Sequence, residues 1–172
     1  MVQIEMPTLL KPLTPRDGRQ SDTALAVARG TRRLLRRLDY STLTELPLLT
    51  GRRADIIALA MDATIIIVEI KSSVADFRAA DAKWREYRAH CDKFYFAIPE
   101  SVPVDIMPED AGLILADAYG GDILRQAPKH RIAPATRRAV LMRFAHAAAH
   151  RLHRLSDPGG WRRAAGVLQV EG

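Results

Sequence analysis

A single cysteine, Cys91, is all the thiol this 172-residue chain carries. An intramolecular disulfide is therefore excluded, and the chain suits a reducing compartment. No apolar run approaches the roughly 20 residues that cross a bilayer, so no membrane partner is expected. The opening stretch MVQIEMPTLLKPLTP lacks the positive n-region and long apolar h-region of a signal peptide, which makes the cytoplasm the expected location. No internal repeat is found. Acidic residues are the scarcer charge, 20 Asp and Glu against 26 Lys and Arg, a formal net charge of +6. That excess favours a polyanionic partner without naming one.

What is present is ordinary globular composition, 48% apolar and 27% charged, and the length suits one domain with a real core. Residues 1–19 are Pro-bearing and aperiodic and read as a flexible arm. Residues 20–155 read as the folded domain. Asp157-Pro158-Gly159-Gly160 marks a break, and 156–172 read as a tail.

The segment Arg52–Ser73, RRADIIALAMDATIIIVEIKSS, carries Asp55, Glu69 and Lys71 inside two strongly apolar, β-branched runs. Such charges are seldom buried without partners, because an unpaired one costs several kcal/mol. Ala54–Ala60 and Thr64–Ile70 read as strands, with Met61-Asp62-Ala63 as a three-residue hairpin loop. A hairpin centred on Asp62 sets Asp55 opposite Glu69 and Arg53 opposite Lys71. The two-residue period puts Glu69 and Lys71 on one face. Facing carboxylates repel, and a divalent cation between them removes the conflict. Mg²⁺ or Mn²⁺ prefers oxygen ligands and can serve phosphodiester hydrolysis, with Lys71 holding water or stabilising developing charge. The competing reading is a solvated strand end with Asp55 salt-bridged to an arginine.

Around this hairpin, Ser21 or Asp22 can cap a helix running to about Leu38, with Ala24, Val27, Ala28, Leu34, Leu35 and Leu38 facing inward. Its other side carries Arg29, Arg32, Arg33, Arg36 and Arg37 with no acidic residue between Thr23 and Leu38. That stripe is either a phosphate-contacting surface or a solvated helix face. A strand is expected near Leu43–Leu49, and a helix over Asp76–His90 with Phe77, Ala80, Trp84 and Tyr87 inward, where Trp84 and Tyr87 serve packing first. Arg78 and Lys83 can reach phosphate, and Arg52 and Arg53 flank the charged trio. Strands follow at Lys93–Ile98 and Gly112–Ala116, then a turn at Tyr119-Gly120-Gly121 into Asp122–Gln126. Pro134 can open a last helix with Leu141, Phe144, Ala145, Ala148, Leu152 and Leu155 as its apolar stripe. His146 and His150 on that helix have no Cys or acidic partner at zinc-binding spacing. Cys91 reads as a buried structural thiol. The element order gives an α/β or α+β mixed-sheet fold, αβββαβ with a C-terminal helix.

Asp55 followed by Glu69-x-Lys71 across a hairpin resembles the PD-(D/E)xK nuclease superfamily, whose fold is restriction-endonuclease-like. The flanks are more specific. GRRADIIAL at 51–59, VEIKSSVADFRAADAKWREYRAHCDKFYFAIP at 68–99, MPEDAGLILADAYGGDILRQAP at 107–128 and APATRRAVLMRFA at 133–145 are similar to the MmcB-like family. The resemblance spans about Ser21 to Leu155 and implies a metal-dependent DNA-repair endonuclease. It implies Asp55, Glu69 and Lys71 as catalytic residues, and Asp55, Glu69 and the Ile70 backbone carbonyl as metal ligands. Ala54 stands where many relatives have Pro. Many also carry a Glu on the first helix as a further ligand; here only Asp22 and Asp39 lie at its ends, and Glu45 on the preceding strand can substitute. Asp76, Asp81 and Lys83 are auxiliary candidates. DNA is the expected partner, with Arg29, Arg32, Arg33, Arg36, Arg52, Arg53 and Lys83 as candidate contacts. A homodimer or a repair partner protein is compatible with so small a chain. The rival functions are an inactive nuclease-fold module that binds DNA and recruits partners, and an RNA nuclease.

Overall fold

The computed structural model of the chain describes residues 21–79 and 82–158. The proposed arm at 1–19 and the tail from 159 onward lie outside them. Helix α1 spans Asp22–Arg37, and the Ser21 side chain accepts the Ala24 N–H at 3.1 Å as its N-cap. It ends in a Schellman turn. Asp39 takes φ +62°, and the Asp39 and Tyr40 amides return to the Arg36 and Leu35 carbonyls. Leu38 is the C-cap and is exposed, so the inward stripe stops at Leu35 rather than continuing to Leu38.

Strands β1 (Ser41–Pro47), β2 (Arg53–Leu59), β3 (Ile65–Ile70), β4 (Lys93–Ile98), β5 (Gly112–Ala116) and β6 (Gly121–Arg125) form one mixed sheet in chain order. Neighbours are antiparallel except for β3 with β4 and β4 with β5, which are parallel. β1 starts and ends two residues earlier than the apolar pattern suggests, and Leu48 opens the turn instead, with Gly51 at φ +80°. Pro47 ends an edge strand, where its missing N–H breaks no inner ladder.

The β2–β3 hairpin has the register expected from a centre at Asp62: Leu59 pairs with Ile65 and Ile56 with Val68. Ala60 and Thr64 close the loop, and Ala63 adopts φ +64°. The sheet alternates as a strand buried on both faces must. On β3, Ile66 and Val68 join Val27, Leu34 and Leu35 of α1 in one core. Ile65 and Ile67 face the other core, with Phe94, Phe96, Trp84 and Tyr87. Helix α3 (Pro134–Ser156) covers that second face through Val140 and Phe144. Beyond Phe144 its apolar stripe is not buried: Ala145, Leu152 and Leu155 are exposed. The fold is thus a mixed six-stranded sheet between α1 and α3, the α+β class that the element order predicts.

The expected helix over Asp76–His90 is not continuous. Helix α2 spans only Val74–Ala79, and Ala82–His90 is a 3-10 helix. With three residues per turn, Trp84, Tyr87 and His90 line up, and all three are buried. The helical spacing Phe77–Trp84–Tyr87 resembles this pattern closely enough that the sequence does not separate them. Ala80 lies outside the described residues.

Candidate active site

The sheet forks at the carboxyl end of β3. On one side the β2–β3 ladder stops at Ile56–Val68, one pair short of the expected Asp55–Glu69 pairing. On the other, β3 stays paired with β4 to Ile70–Ala97, and the Lys71 amide donates to the Ala97 carbonyl at 2.9 Å. The Ile70 N–H, left without a strand partner, donates to the Asp55 carboxylate at 2.9 Å. A buried backbone donor needs an acceptor, and the carboxylate supplies it. Asp55 is thereby fixed beside the residue that follows Glu69.

The Lys71 ammonium lies 3.2 Å from Glu69 Oε1, with the lysine side chain 6% and the glutamate side chain 18% exposed. The other Glu69 oxygen, Oε2, is buried and has no partner in hydrogen-bonding geometry: the Tyr87 hydroxyl, near enough to favour the ionised form of Glu69, is directed to the Arg53 carbonyl. Burial first, then the Asp55 charge, raises the Glu69 pKa to about 7 against the opposing pull of Lys71. Burial likewise raises Asp55, opposed by the Ile70 amide, Lys71 and Arg53. The site therefore holds two carboxylates that disfavour each other's ionisation, one of them with an unused oxygen. An ammonium lies alongside. The oxygen-only donor set suits a hard divalent cation.

Further groups brace the trio. The Tyr87 hydroxyl donates to the Arg53 carbonyl at 3.0 Å, tying the 3-10 helix to β2. Burial and then the two carboxylate charges hold its pKa above the ordinary phenol value. Asp76 accepts the Ser72 amide at 2.9 Å and hydroxyl at 3.3 Å, while its own amide donates to Ser73 Oγ at 3.1 Å. This cap starts α2 two residues before the position read from apolar spacing. The Ser73-Val74-Ala75-Asp76 sequence is the signal that could have placed it.

Glu45 lies on β1 across from Asp55, between the Thr44–Ile56 and Leu46–Ala54 pairs, but its carboxylate is turned to an arginine. It sits at φ +52° on β1 and pairs with Arg53 at 3.4 Å. Among the described residues no three His, Cys, Asp or Glu side chains gather as a metal site. Arg52 is bound to Glu86 at 2.6 Å. Arg53 pairs with Pro47 on the β1 side, and on the other side the β2–β3 ladder has ended before any Arg53–Lys71 pair forms. Arg29, Arg32, Arg33 and Arg36 lie on α1, across the sheet from the core that holds Tyr87. Arg78 is exposed on α2. Asp81 and the Lys83 side chain fall outside the described residues. Cys91 is buried, with burial pushing its thiol up to about 12, in keeping with a structural role. No helix among the described residues is long and apolar enough to cross a membrane.

A solved structure, the SPO1766 protein of unknown function from Silicibacter pomeroyi, superposes with a TM-score of 0.77 at 36% identity, covering 87% of this chain and 99% of that one. No curated protein matches. The family model for DNA repair protein MmcB-like matches residues 11–159. The chain belongs to the MmcB-like family of DNA repair proteins.

Proposed function

We propose that Asp55, Glu69 and Lys71 form the site of a divalent-metal-dependent DNA endonuclease of the PD-(D/E)xK type, acting in repair. The single observation that carries this reading is the buried, unpartnered Glu69 Oε2 beside a second carboxylate. A buried acceptor without a donor is rare in a native fold and calls for an explanation, and a cation is a partner for it. Asp55 and Glu69 would hold Mg²⁺ or Mn²⁺, with the Ile70 carbonyl as a further ligand. The bound ion would supply charge neutralisation at a phosphoryl oxygen and a more acidic water.

The chain's own residues do the rest. The Ile70 amide fixes the Asp55 carboxylate, so that the site is organised before substrate arrives. Lys71, nearly buried, keeps its ammonium against Glu69 and is placed to orient the attacking water or to neutralise charge growing on phosphorus oxygens. Tyr87 and the packed aromatic cluster behind it exclude water from the inner side. In-line attack would leave a 5′-phosphate and a 3′-hydroxyl. The order αβββαβ, with Asp55 on β2, Glu69 near the end of β3 and Lys71 just after it, supports the superfamily reading.

The test is cleavage of nicked, flapped, branched and single-stranded DNA, and of RNA, by the full chain with Mg²⁺ or Mn²⁺. Metal-dependent DNA cutting that Glu69→Gln abolishes is the expected result. Tight binding without cutting would turn the reading to a recruitment module, and cutting of RNA alone to a ribonuclease.

A further inference from the structure

The arginine stripe of α1 is organised on the opposite side of the sheet from the carboxylates, against the turn between β5 and β6. The Asp117 carboxylate accepts the Tyr119 and Gly120 amides at 2.7 and 2.8 Å and fixes the shape of that turn. Arg33 donates to the Ala118 and Tyr119 carbonyls at 3.2 and 3.1 Å, and Arg37 to the Gly121 carbonyl at 3.0 Å. Gly30 permits this approach, since a Cβ there would lie 2.1 Å from the Asp117 carbonyl oxygen and 2.2 Å from that of Gly120. The result is an open depression of about 470 Å³ lined by Arg33, Arg36, Arg37, Tyr119 and Gly120.

Two features of this depression have no structural use. The Tyr119 ring is 83% exposed at the tip of a turn that its backbone, not its ring, holds together. Arg36 is exposed and, among the described residues, pairs with no carboxylate. A guanidinium carries five donors, so Arg33 and Arg37 also retain several beyond those given to the turn. The acidic group within the turn, Asp117, is already engaged by two amides. An exposed aromatic ring flanked by fixed guanidinium groups is the combination that holds a single strand, with a base on the ring and phosphates on the cations. A duplex offers no free base face to such a ring.

We infer that Tyr119 and the Arg33–Arg36–Arg37 cluster form a binding site for single-stranded DNA, separate from the carboxylate site and on the other face of the sheet. The identity of the strand as DNA rests on the proposed function; the chemistry of stacking and phosphate contact does not. Such a site would hold a flap or an unpaired tail away from the site that cuts.

The test uses the full chain carrying Glu69→Gln, with a dye-labelled oligothymidylate and a duplex of the same length, read by fluorescence anisotropy across a salt series. Tyr119→Ala should weaken oligothymidylate binding about 5- to 100-fold, with the salt slope unchanged and duplex binding little altered. Tyr119→Trp should restore affinity, and its indole fluorescence should fall as the strand binds. Arg36→Ala should flatten the salt slope by about 0.7 per lost single-strand phosphate contact. The site is refuted if both alanine variants bind oligothymidylate like the parent, or if Tyr119→Ala weakens the duplex equally. It is also refuted if the parent binds no oligothymidylate. Loss of cleavage by Glu69→Gln is a separate readout, so a chain that binds the strand but never cuts DNA would overturn the nuclease reading and leave this site standing.

Discussion

The Asp55 carboxylate accepts the backbone N–H of Ile70 at 2.9 Å, where the β2–β3 ladder has already ended. This bond does the work of a missing strand pair and brings a second carboxylate next to Glu69. Asp55→Asn keeps an acceptor for Ile70 but removes the charge. The Glu69 pKa should then fall from about 7 yet stay above its ordinary value, because burial is the larger cause and remains. A carbon-13 titration of the glutamate side chains in metal-free protein reads this directly. A Glu69 pKa unmoved by the substitution would mean the two carboxylates do not interact.

Glu69 also shapes stability. Its folded pKa lies above the unfolded value near 4.5, so the folded state holds its proton more tightly. Stability should therefore fall as pH rises from about 4.5 through about 7. Glu69→Gln removes that loss. In metal-free protein it should stabilise the fold at pH 8 by about 1–3 kcal/mol, allowing for partial exposure of the group, with the gap closing near pH 4.5. Urea midpoints at the two pH values measure it.

In the proposed function Lys71 orients the attacking water or neutralises charge at the reacting phosphate. Lys71→Met keeps most of the buried aliphatic stem and deletes the ammonium. Single-turnover cleavage should slow by about 10²–10³-fold, the usual loss for one electrostatic donor, while DNA affinity changes little. An equal loss of affinity would make Lys71 a binding residue instead.

Asp92 is a structural counterpart to the site, a buried carboxylate whose partners are complete. It accepts the Ile65 amide at 2.8 Å and two Arg137 nitrogens at 2.7 Å each, and Arg137 also reaches the Ala63 carbonyl at 2.8 Å. Hairpin loop, β3 and α3 are joined at one point. Burial raises the Asp92 pKa, but the Arg137 hydrogen bonds, the Ile65 amide and the Arg137 charge outweigh it, so the net shift is downward. That stabilisation is present above the unfolded value near 3.8 and is lost as pH falls through the lower folded value. Arg137→Met leaves the buried carboxylate without its counter-charge and should cost about 3–5 kcal/mol at pH 7, with a smaller penalty at pH well below the unfolded value near 3.8. Denaturant unfolding at both pH values checks it.

The hairpin was legible in sequence because two β-branched runs flank one three-residue loop, and the two-residue period then fixes every face. Strands β4 and β5 and the start of α3 at Pro134 were equally plain, bounded by prolines, glycines and apolar runs. Burial at helix ends was not legible. Leu38, Leu152 and Leu155 continue their stripes in sequence but run past the sheet that would cover them. The 3-10 helix was hidden because its three-residue line of Trp84, Tyr87 and His90 overlaps a helical spacing. At the site, the approach of Asp55 to Glu69 followed from register, but the ladder's early end and the Ile70 bond did not. The setting of Glu45 opposite Asp55 was not legible either: φ +52° on an edge strand and an ion pair with Arg53 leave no trace in the pattern of residue types.

In the proposed function Asp55 and Glu69 are kept together to hold a divalent ion. Calorimetric titration of Mn²⁺ into the full chain at pH 8 tests it most directly. Binding is expected that Asp55→Asn and Glu69→Gln each weaken at least about tenfold, and that weakens for the wild type at pH 6, where Glu69 is largely protonated and must release its proton to bind metal. Binding that both substitutions leave intact, or no binding at pH 8, would contradict it.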